Sequence, residues 1–265
     1  MTDPATIYED WFVPAVFAPL ARKVIAQTEI APDARVLDVA CGTGIVARVV
    51  ASRLGSDGRV VGLDFSPAML AAARRYAAAE DLEIEWREGS AQDLPFGDGS
   101  FDLVFCQMGL QFFPDRARAV AEMHRVLAPD GRAVLTTWRG LDRHPFPAAL
   151  AHAVRERLNS PALGMPFVLG DPAVVAGLLR DAGFANVSVE PVEIVADYAR
   201  PREYVPLQIR ASAAGIAALQ GLAAAELDAM IAAIEDDMAA PVREVTEGDR
   251  LRFPMEGIVA RGTRA

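Results

Sequence analysis

Two glycines and two carboxylates define the first candidate site. Residues 36–47 read VLDVACGTGIVA, where Gly42 and Gly44 follow a short apolar run. Glycines let the backbone turn tightly and let a ligand approach with no Cβ atom in the way. Asp64 lies 20 residues after Gly44, at the end of the next apolar run, where its carboxylate can accept hydrogen bonds from a ribose diol. This spacing predicts a site for an adenosine-bearing cofactor.

The pattern G-x-G-x-x-A within this stretch fits two cofactor classes, because a nicotinamide dinucleotide and S-adenosylmethionine both carry a ribose. Asp38, three residues before Cys41, favours the second class. A carboxylate there would repel a pyrophosphate but would suit an ammonium or a sulfonium group. The stretch EGSAQDLPFGDGSFDLVFC at 88–106 adds a polar cluster and an apolar turn, which suit the edge and the face of an adenine.

Alternating apolar runs predict the elements that must position these residues. Five runs are typical of strands, and helix-like stretches separate most of them. The strand predictions are 35–40, 59–64, 84–89, 101–107 and 132–138. Short crossovers of this kind force parallel pairing, so the sequence predicts an α/β fold with a doubly wound, Rossmann-like sheet.

The remaining stretches are assigned to a single domain over 1–265. The N-terminal helical segment (1–30, broken at Pro14 and Pro19) is expected to form part of a lid over the cofactor-binding core. The domain is divided as 1–30, a core at 31–140, lid or substrate insertions at 139–170 and 200–247, and the rest of the sheet at 171–199 and 248–265.

Four ordered motifs carry a resemblance to a known family. VLDVACGTG, GLDFSPAML, GSAQDLPFGDGSFDLV and MHRVLAPDGRAVL resemble the class I S-adenosylmethionine-dependent methyltransferases. The nearest resemblance is to the small-molecule group that includes the ubiquinone/menaquinone C-methyltransferases, and it covers roughly residues 33–140. It implies S-adenosylmethionine as cofactor and a seven-stranded, mostly parallel sheet whose last strand is antiparallel, with helical lid insertions.

The resemblance also implies roles for individual residues. Asp38, Cys41, Gly42 and Gly44 would line the methionine end and the glycine loop, and Asp64 would hold the ribose. Phe65, Met69 and the backbone of Ala91 would contact the adenine. The cofactor set is completed by Ala40, Ser90, Gln92, Cys106, Gln107 and Gln111. Two positions depart from the family pattern: Ser90 stands where relatives often carry Asp, and Leu110-Gln111-Phe112 stands where they often carry Leu-His-His.

Candidates for handling the methyl acceptor are aromatic residues and one histidine. Methyl transfer from a sulfonium is an in-line displacement, so the protein must mainly align the reactants and exclude water. Trp138 ends a predicted strand at the catalytic edge, and Tyr8 lies on the first helix. A general base is needed only for a hydroxyl or a weakly acidic carbon. His144, just past the fifth strand, is a candidate, and Asp142 and Tyr8 stay open beside it.

Composition narrows the acceptor class and the cellular context. The net charge of −10 disfavours nucleic acid and anionic membranes as partners. No apolar run reaches the length of a membrane span, and the two cysteines form neither a disulfide framework nor a metal site. We expect a cytoplasmic enzyme acting on a small, hydrophobic organic acceptor. An NAD(P)-dependent oxidoreductase and a non-catalytic S-adenosylmethionine-binding scaffold remain as alternatives, and the sequence leaves the oligomeric state open.

Overall fold

The structure is a computed structural model that describes residues 4–213 and 216–265. Its strands are β1 (Arg35–Val39), β2 (Arg59–Asp64), β3 (Glu85–Glu88), β4 (Phe101–Gln107), β5 (Leu127–Trp138), β6 (Phe184–Ala199), β7 (Thr246–Glu247) and β8 (Arg250–Arg264). Its α-helices are α1 (Pro4–Ile7), α2 (Ala18–Ala26), α3 (Ile45–Ala51), α4 (Pro67–Ala79), α5 (Arg116–Val126), α6 (Pro145–Leu158), α7 (Pro172–Asp181), α8 (Tyr204–Ser212) and α9 (Ala224–Glu244). A π-helical segment, Tyr8–Phe17, joins α1 to α2.

The strands form one sheet in the order β3-β2-β1-β4-β5-β8-β6. The pairs from β3 to β5 are parallel, whereas β8 runs antiparallel to both of its neighbours. This confirms the predicted mostly parallel, doubly wound sheet with an antiparallel last strand. The two-residue β7 pairs with β8 outside this seven-strand path and was not predicted. The strand order reverses between β1 and β4, so ligands are expected beyond the carboxyl ends of these two strands.

Local sequence explains where the crossover helices begin. The side chain of Ser66 accepts a hydrogen bond from Met69 N–H, and Pro67 follows at the first helical position of α4. Asp115 and Asp171 cap α5 and α7 in the same way. Such caps satisfy amide groups that have no partner within the helix. Proline in the first turn costs nothing, because an N–H at that position would be unpaired. The residues just before these helices therefore fix where each one begins.

The boundaries differ most around β5 and at the N-terminus. Strand β5 begins at Leu127, five residues before the predicted start, because Leu127 pairs with Phe101 ahead of an irregularity in the ladder. The N-terminal segment was predicted as a helix broken at its prolines. Pro14 lies inside the π-helical segment, and Pro19 lies in the first turn of α2. The wider π-helical turns accommodate Pro14 without ending the helical path.

The stretches predicted as lid insertions are mainly helical and lie beside the carboxyl edge of the sheet. Helix α6 packs against α9, α8 packs against α9, and the π-helical segment packs against β6. Within 4–213 and 216–265, no helix combines the length and the apolar character needed to cross a bilayer. The described residues also bring together no group of His, Cys, Asp and Glu side chains suited to a metal ion.

Candidate active site

The glycine loop follows β1 and takes a backbone path that few residues tolerate. Ala40, Gly42 and Gly44 have φ values of 56°, 55° and 86°, all in the left-handed region that favours glycine. A Cβ atom on Gly44 would lie 2.3 Å from Cη2 of Trp86. Glycine is thus required at position 44 both by the backbone conformation and by the ring of Trp86, on β3, which packs against it. Helix α3 begins at the next residue.

Asp64 at the end of β2 fixes this loop. Its Oδ2 accepts a hydrogen bond from Gly42 N–H at 2.8 Å, and its Oδ1 accepts one from Ser66 N–H at 2.9 Å. Burial raises the pKa of the Asp64 carboxyl, while these two backbone bonds lower it. Each carboxylate oxygen can accept more than one hydrogen bond. The carboxylate therefore retains capacity for a diol at the mouth of the loop.

Asp38, within β1, lies beneath the loop. It is buried, and its Oδ2 accepts a hydrogen bond from Ala47 N–H at 3.1 Å, in the first turn of α3. Burial is the main reason that the pKa of Asp38 is raised to about 8, and the nearby Asp64 raises it further. At neutral pH the uncharged carboxyl therefore predominates in the free protein. A cationic group bound nearby would favour the ionised form.

This burial makes a pH-dependent contribution to stability. Between its unfolded pKa near 4 and its folded pKa of about 8, Asp38 holds a proton in the folded protein that the unfolded chain has lost. The free energy of unfolding must therefore fall as pH rises through this window. We expect wild type to lose about 2 kcal/mol more than Asp38→Asn between pH 6 and pH 8. Urea denaturation of both proteins measures this difference, and parallel profiles would contradict it.

A cavity of about 670 Å³ opens above the glycine loop, at the carboxyl ends of β1, β2 and β4. Its lining includes eight of the predicted cofactor residues, namely Ala40, Gly42, Asp64, Phe65, Met69, Ser90, Ala91 and Gln92. The other six lie outside the lining, namely Asp38, Cys41, Gly44, Cys106, Gln107 and Gln111. Phe65 is 79% exposed, so its ring face is available to a flat ligand. We call this space the glycine-loop cavity.

Several residues outside the lining are buried or form hydrogen bonds away from the glycine loop. Cys41 and Cys106 are buried free thiols. Gln107 donates from Nε2 to the carbonyl oxygen of Phe17 at 3.2 Å, which ties β4 to the N-terminal segment. Buried Gln111 donates from Nε2 to the carbonyl oxygen of Met108 at 2.8 Å, and its Oε1 has no partner among the described residues. Their predicted contacts with a cofactor remain predictions.

The N-terminal segment covers the glycine-loop cavity and is held by buried charge. Tyr8 lines the cavity and lies 3.9 Å from the Cβ position that Gly42 lacks. The next residue, Glu9, pairs with Arg48 of α3, and Arg48 also pairs with Glu80 at the end of α4. Glu9 and Arg48 are only 7% and 5% exposed. This cluster of Glu9, Arg48 and Glu80, the buried ion cluster, fastens the cover to the helix that follows the glycine loop.

A second cavity, of about 510 Å³, lies beside the first. Its lining is mainly apolar and contains rings from the N-terminal segment, from β5, β6 and β8 and from the helical insertions, namely Phe12, Phe17, Trp138, Phe167, Tyr198, Tyr204 and Phe253. None of its lining residues among those described is charged. Phe112 lines both cavities and is 56% exposed. We call this space the aromatic cavity, and Phe112 is the wall that it shares with the glycine-loop cavity.

The three predicted catalytic residues occupy different places. Trp138 lines the aromatic cavity, and Tyr8 lines the glycine-loop cavity. His144 is fully buried and lines neither. Its Nδ1 lies 3.0 Å from the carbonyl oxygen of Gly140, and its Nε2 accepts a hydrogen bond from Glu256 N–H at 3.1 Å.

This pairing of both ring nitrogens suits a structural histidine that joins the loop after β5 to β8. Burial also lowers the pKa of His144, which favours the uncharged ring that such a pairing requires. Its ring packs 4.9 Å from the ring of Phe167. His144 thereby supports the wall of the aromatic cavity, while its predicted catalytic role stays a prediction.

Sequence reasoning missed most of the aromatic cavity. Tyr198 and Phe253 lie on neighbouring strands, since Ala196 pairs with Phe253 in the antiparallel ladder of β6 and β8. Tyr204 begins α8 and packs 5.0 Å from Tyr198, measured between ring centroids. Alternation of apolar and polar residues along a strand indicates which side chains face inward. It could not indicate that these inward faces meet the N-terminal segment, which lies far away in sequence.

Comparison with known proteins agrees with this fold. Residues 36–131 match the family described as "Methyltransferase domain". The crystal structure of a candidate methyltransferase from Bacillus halodurans C-125 superposes with a TM-score of 0.62 at 21% identity, covering 92% of this chain and 98% of that one. The fold and the glycine-loop motifs are those of the class I S-adenosylmethionine-dependent methyltransferases.

Within that class, its relatives include proteins that act on small molecules. A demethylmenaquinone methyltransferase from Thermus thermophilus is 46% identical over 114 residues, which is 43% of this chain and 51% of the relative. Nocamycin O-methyltransferase from Saccharothrix syringae is 35% identical over 188 residues, or 64% of this chain and 66% of the relative. The chain spans about half the length of the demethylmenaquinone methyltransferases that it matches. The family match over residues 36–131 contains the glycine loop and Asp64.

Proposed function

We propose that this protein transfers a methyl group from S-adenosylmethionine to a small, uncharged and hydrophobic organic acceptor. In this reaction the acceptor's nucleophilic atom would bond to the methyl carbon as the bond between carbon and sulfur breaks. Sulfur would keep the electron pair, and the acceptor's proton would leave to solvent. The observation that carries the proposal is the pair of adjoining cavities. The glycine-loop cavity suits a cofactor with a ribose and an adenine, the aromatic cavity suits an apolar acceptor, and Phe112 borders both.

The residues of the glycine-loop cavity fit this cofactor. Asp64 has acceptor capacity for the two ribose hydroxyls, and the exposed ring of Phe65 can lie against the adenine. Ser90 and Gln92 offer polar groups at the adenine edge, although the carboxylate that relatives often carry at position 90 is absent. The buried carboxyl of Asp38 suits the cationic end of the cofactor. S-adenosylmethionine supplies an electrophilic methyl group on a good leaving group.

The protein's own contribution is alignment and exclusion of water. Tyr8 and the π-helical segment cover the glycine-loop cavity, and the buried ion cluster holds that cover in place. Trp138 and the rings around it present an apolar surface to the acceptor. Holding two reactants in line within a dry site removes much of the entropic barrier to reaction. The proposed reaction requires no metal ion. We also propose a cytoplasmic location, which suits the two buried free thiols.

Calorimetry with three ligands tests the cofactor. We expect S-adenosylmethionine and its demethylated product, S-adenosylhomocysteine, to bind with micromolar dissociation constants, and NADH to show no heat of binding at the same concentrations. The buried carboxyl of Asp38 beneath the loop can ionise against a bound cation, whereas it offers no counter-charge to a pyrophosphate. Binding of NADH alone would overturn the proposal in favour of the oxidoreductase alternative.

A second assay separates the enzyme from a non-catalytic scaffold. S-adenosylhomocysteine release is followed with uncharged phenols and quinols, with carboxylic acids and with alkylamines as acceptors. We expect release only with the uncharged ring compounds, because the aromatic cavity offers no counter-charge among the described residues. Binding of S-adenosylmethionine without release for any acceptor would favour the scaffold. The Phe112→Ala variant, which removes the shared wall, reports whether the acceptor reacts from the aromatic cavity.

A further inference from the structure

Two tyrosines add hydroxyl groups to the otherwise mainly apolar lining of the aromatic cavity. Tyr198 and Tyr204 are each 4% exposed and both line the cavity. Neither hydroxyl has a hydrogen-bond partner in the part of the chain that the structure describes. Polar groups of largely buried side chains are almost always paired, with protein or with water, because an unpaired group costs free energy. Both hydroxyls are therefore available to pair with water or with a ligand in the cavity.

Packing fixes both rings, so these hydroxyls are held in place before a ligand arrives. The ring of Tyr198 lies 5.6 Å from Trp11 and 6.1 Å from Phe253. The ring of Tyr204 lies 5.2 Å from Phe146 and 5.9 Å from Phe253. Burial raises the pKa of both hydroxyls. Both therefore stay protonated and able to donate at physiological pH.

The cavity is also accessible from the surface. Phe112 and Met165 line it and are exposed, so they mark where the cavity reaches solvent. Its volume of about 510 Å³ suits a ligand of one or two fused rings. Its lining residues within the described parts of the chain are uncharged. A carboxylate or an ammonium would lose its hydration there without gaining a counter-ion.

We infer that the aromatic cavity binds an uncharged ring compound through a ring oxygen substituent, which accepts hydrogen bonds from the hydroxyls of Tyr198 and Tyr204. This inference rests on the proposed function and specifies its acceptor. The two tyrosines are positioning residues: they set the orientation of the ring relative to the glycine-loop cavity and select acceptors that carry an oxygen. Selection against charged analogues follows from the missing counter-charges.

Equilibrium dialysis with a matched probe series tests the inference without catalysis. The probes are 2-naphthol, naphthalene, 2-naphthoate and 2-naphthylmethylamine, measured with and without S-adenosylhomocysteine. We expect 2-naphthol to bind most tightly, naphthalene more weakly, and the two charged probes at least tenfold more weakly than 2-naphthol. Absence of 2-naphthol binding, or equal binding of 2-naphthoate, would overturn the inference.

Two single-hydroxyl variants distinguish hydrogen bonding from packing. Tyr198→Phe and Tyr204→Phe should each weaken 2-naphthol binding about fivefold, the usual scale for one net hydrogen bond, and leave naphthalene binding unchanged. Tyr76→Phe is the matched control, because its hydroxyl donates to Asp10 at 2.7 Å outside the cavity. Equal losses for 2-naphthol and naphthalene would show a packing role only and overturn the inference. If wild type does not bind S-adenosylhomocysteine, that result counts against the proposed function and leaves the ring-binding inference to be judged by the probes.

Discussion

Asp64→Asn is expected to raise the dissociation constant for S-adenosylhomocysteine about 10- to 100-fold. The carboxylate accepts hydrogen bonds from Gly42 N–H and Ser66 N–H, and it retains lone pairs for a ribose diol. An amide in its place supplies only one acceptor oxygen. Its NH₂ group is a donor and cannot accept a hydrogen bond from a backbone N–H or from a ligand hydroxyl. Hydrogen bonds to charged groups contribute about 1.5 to 3 kcal/mol each. Isothermal titration calorimetry at pH 7 measures the change.

Asp57→Asn is the control for this variant. Asp57 is exposed in the turn before β2, and the substitution makes the same change of net charge away from the cavity. Its dissociation constant should equal that of wild type. Because Asp64 also supports the glycine loop, thermal unfolding of both variants shows whether each remains folded. A folded Asp64→Asn protein with wild-type affinity would contradict the role given to this carboxylate.

The parts of the fold that follow from local sequence were predictable. Gly42, Gly44 and Asp64 lie in or beside turns that are specified by consecutive residues. Strands β2 and β4 match their predicted bounds. Ser66 followed by Pro67 predicts the start of α4 from capping alone. The structure confirms this level of organisation because each signal depends on neighbours within a few residues.

Contacts between distant segments were beyond sequence reasoning. Nothing near Tyr198 indicates that it meets Trp11, and nothing near Arg48 indicates that its partners are Glu9 and Glu80. The same limit affected His144, which the sequence places near the catalytic edge. The structure shows its ring paired with Gly140 and with Glu256 of β8, a strand more than 100 residues away. A single sequence by itself carries no direct signal for such pairings.

The buried ion cluster leads to the largest expected loss of stability. Arg48→Met should lower the free energy of unfolding by about 3 to 5 kcal/mol, because Glu9 is left buried without its partner. Glu80 is half-exposed and regains hydration. Glu9→Leu should cost less, because Arg48 keeps Glu80. Urea denaturation measures both variants, and Arg87→Met, which removes an exposed pair with Glu85, should change stability by less than about 1 kcal/mol.

The double variant Glu9→Leu/Arg48→Met separates charge from packing. Replacing a buried ion pair with apolar side chains of similar volume is often neutral or stabilising, so the double variant should recover most of the loss seen in Arg48→Met. A double variant as unstable as Arg48→Met would assign the loss to packing. If the pair also holds the cover over the glycine loop, Arg48→Met should weaken S-adenosylhomocysteine binding and the double variant should restore it. Recovery of both properties together would show that closure of the cofactor site depends on neutralising Glu9.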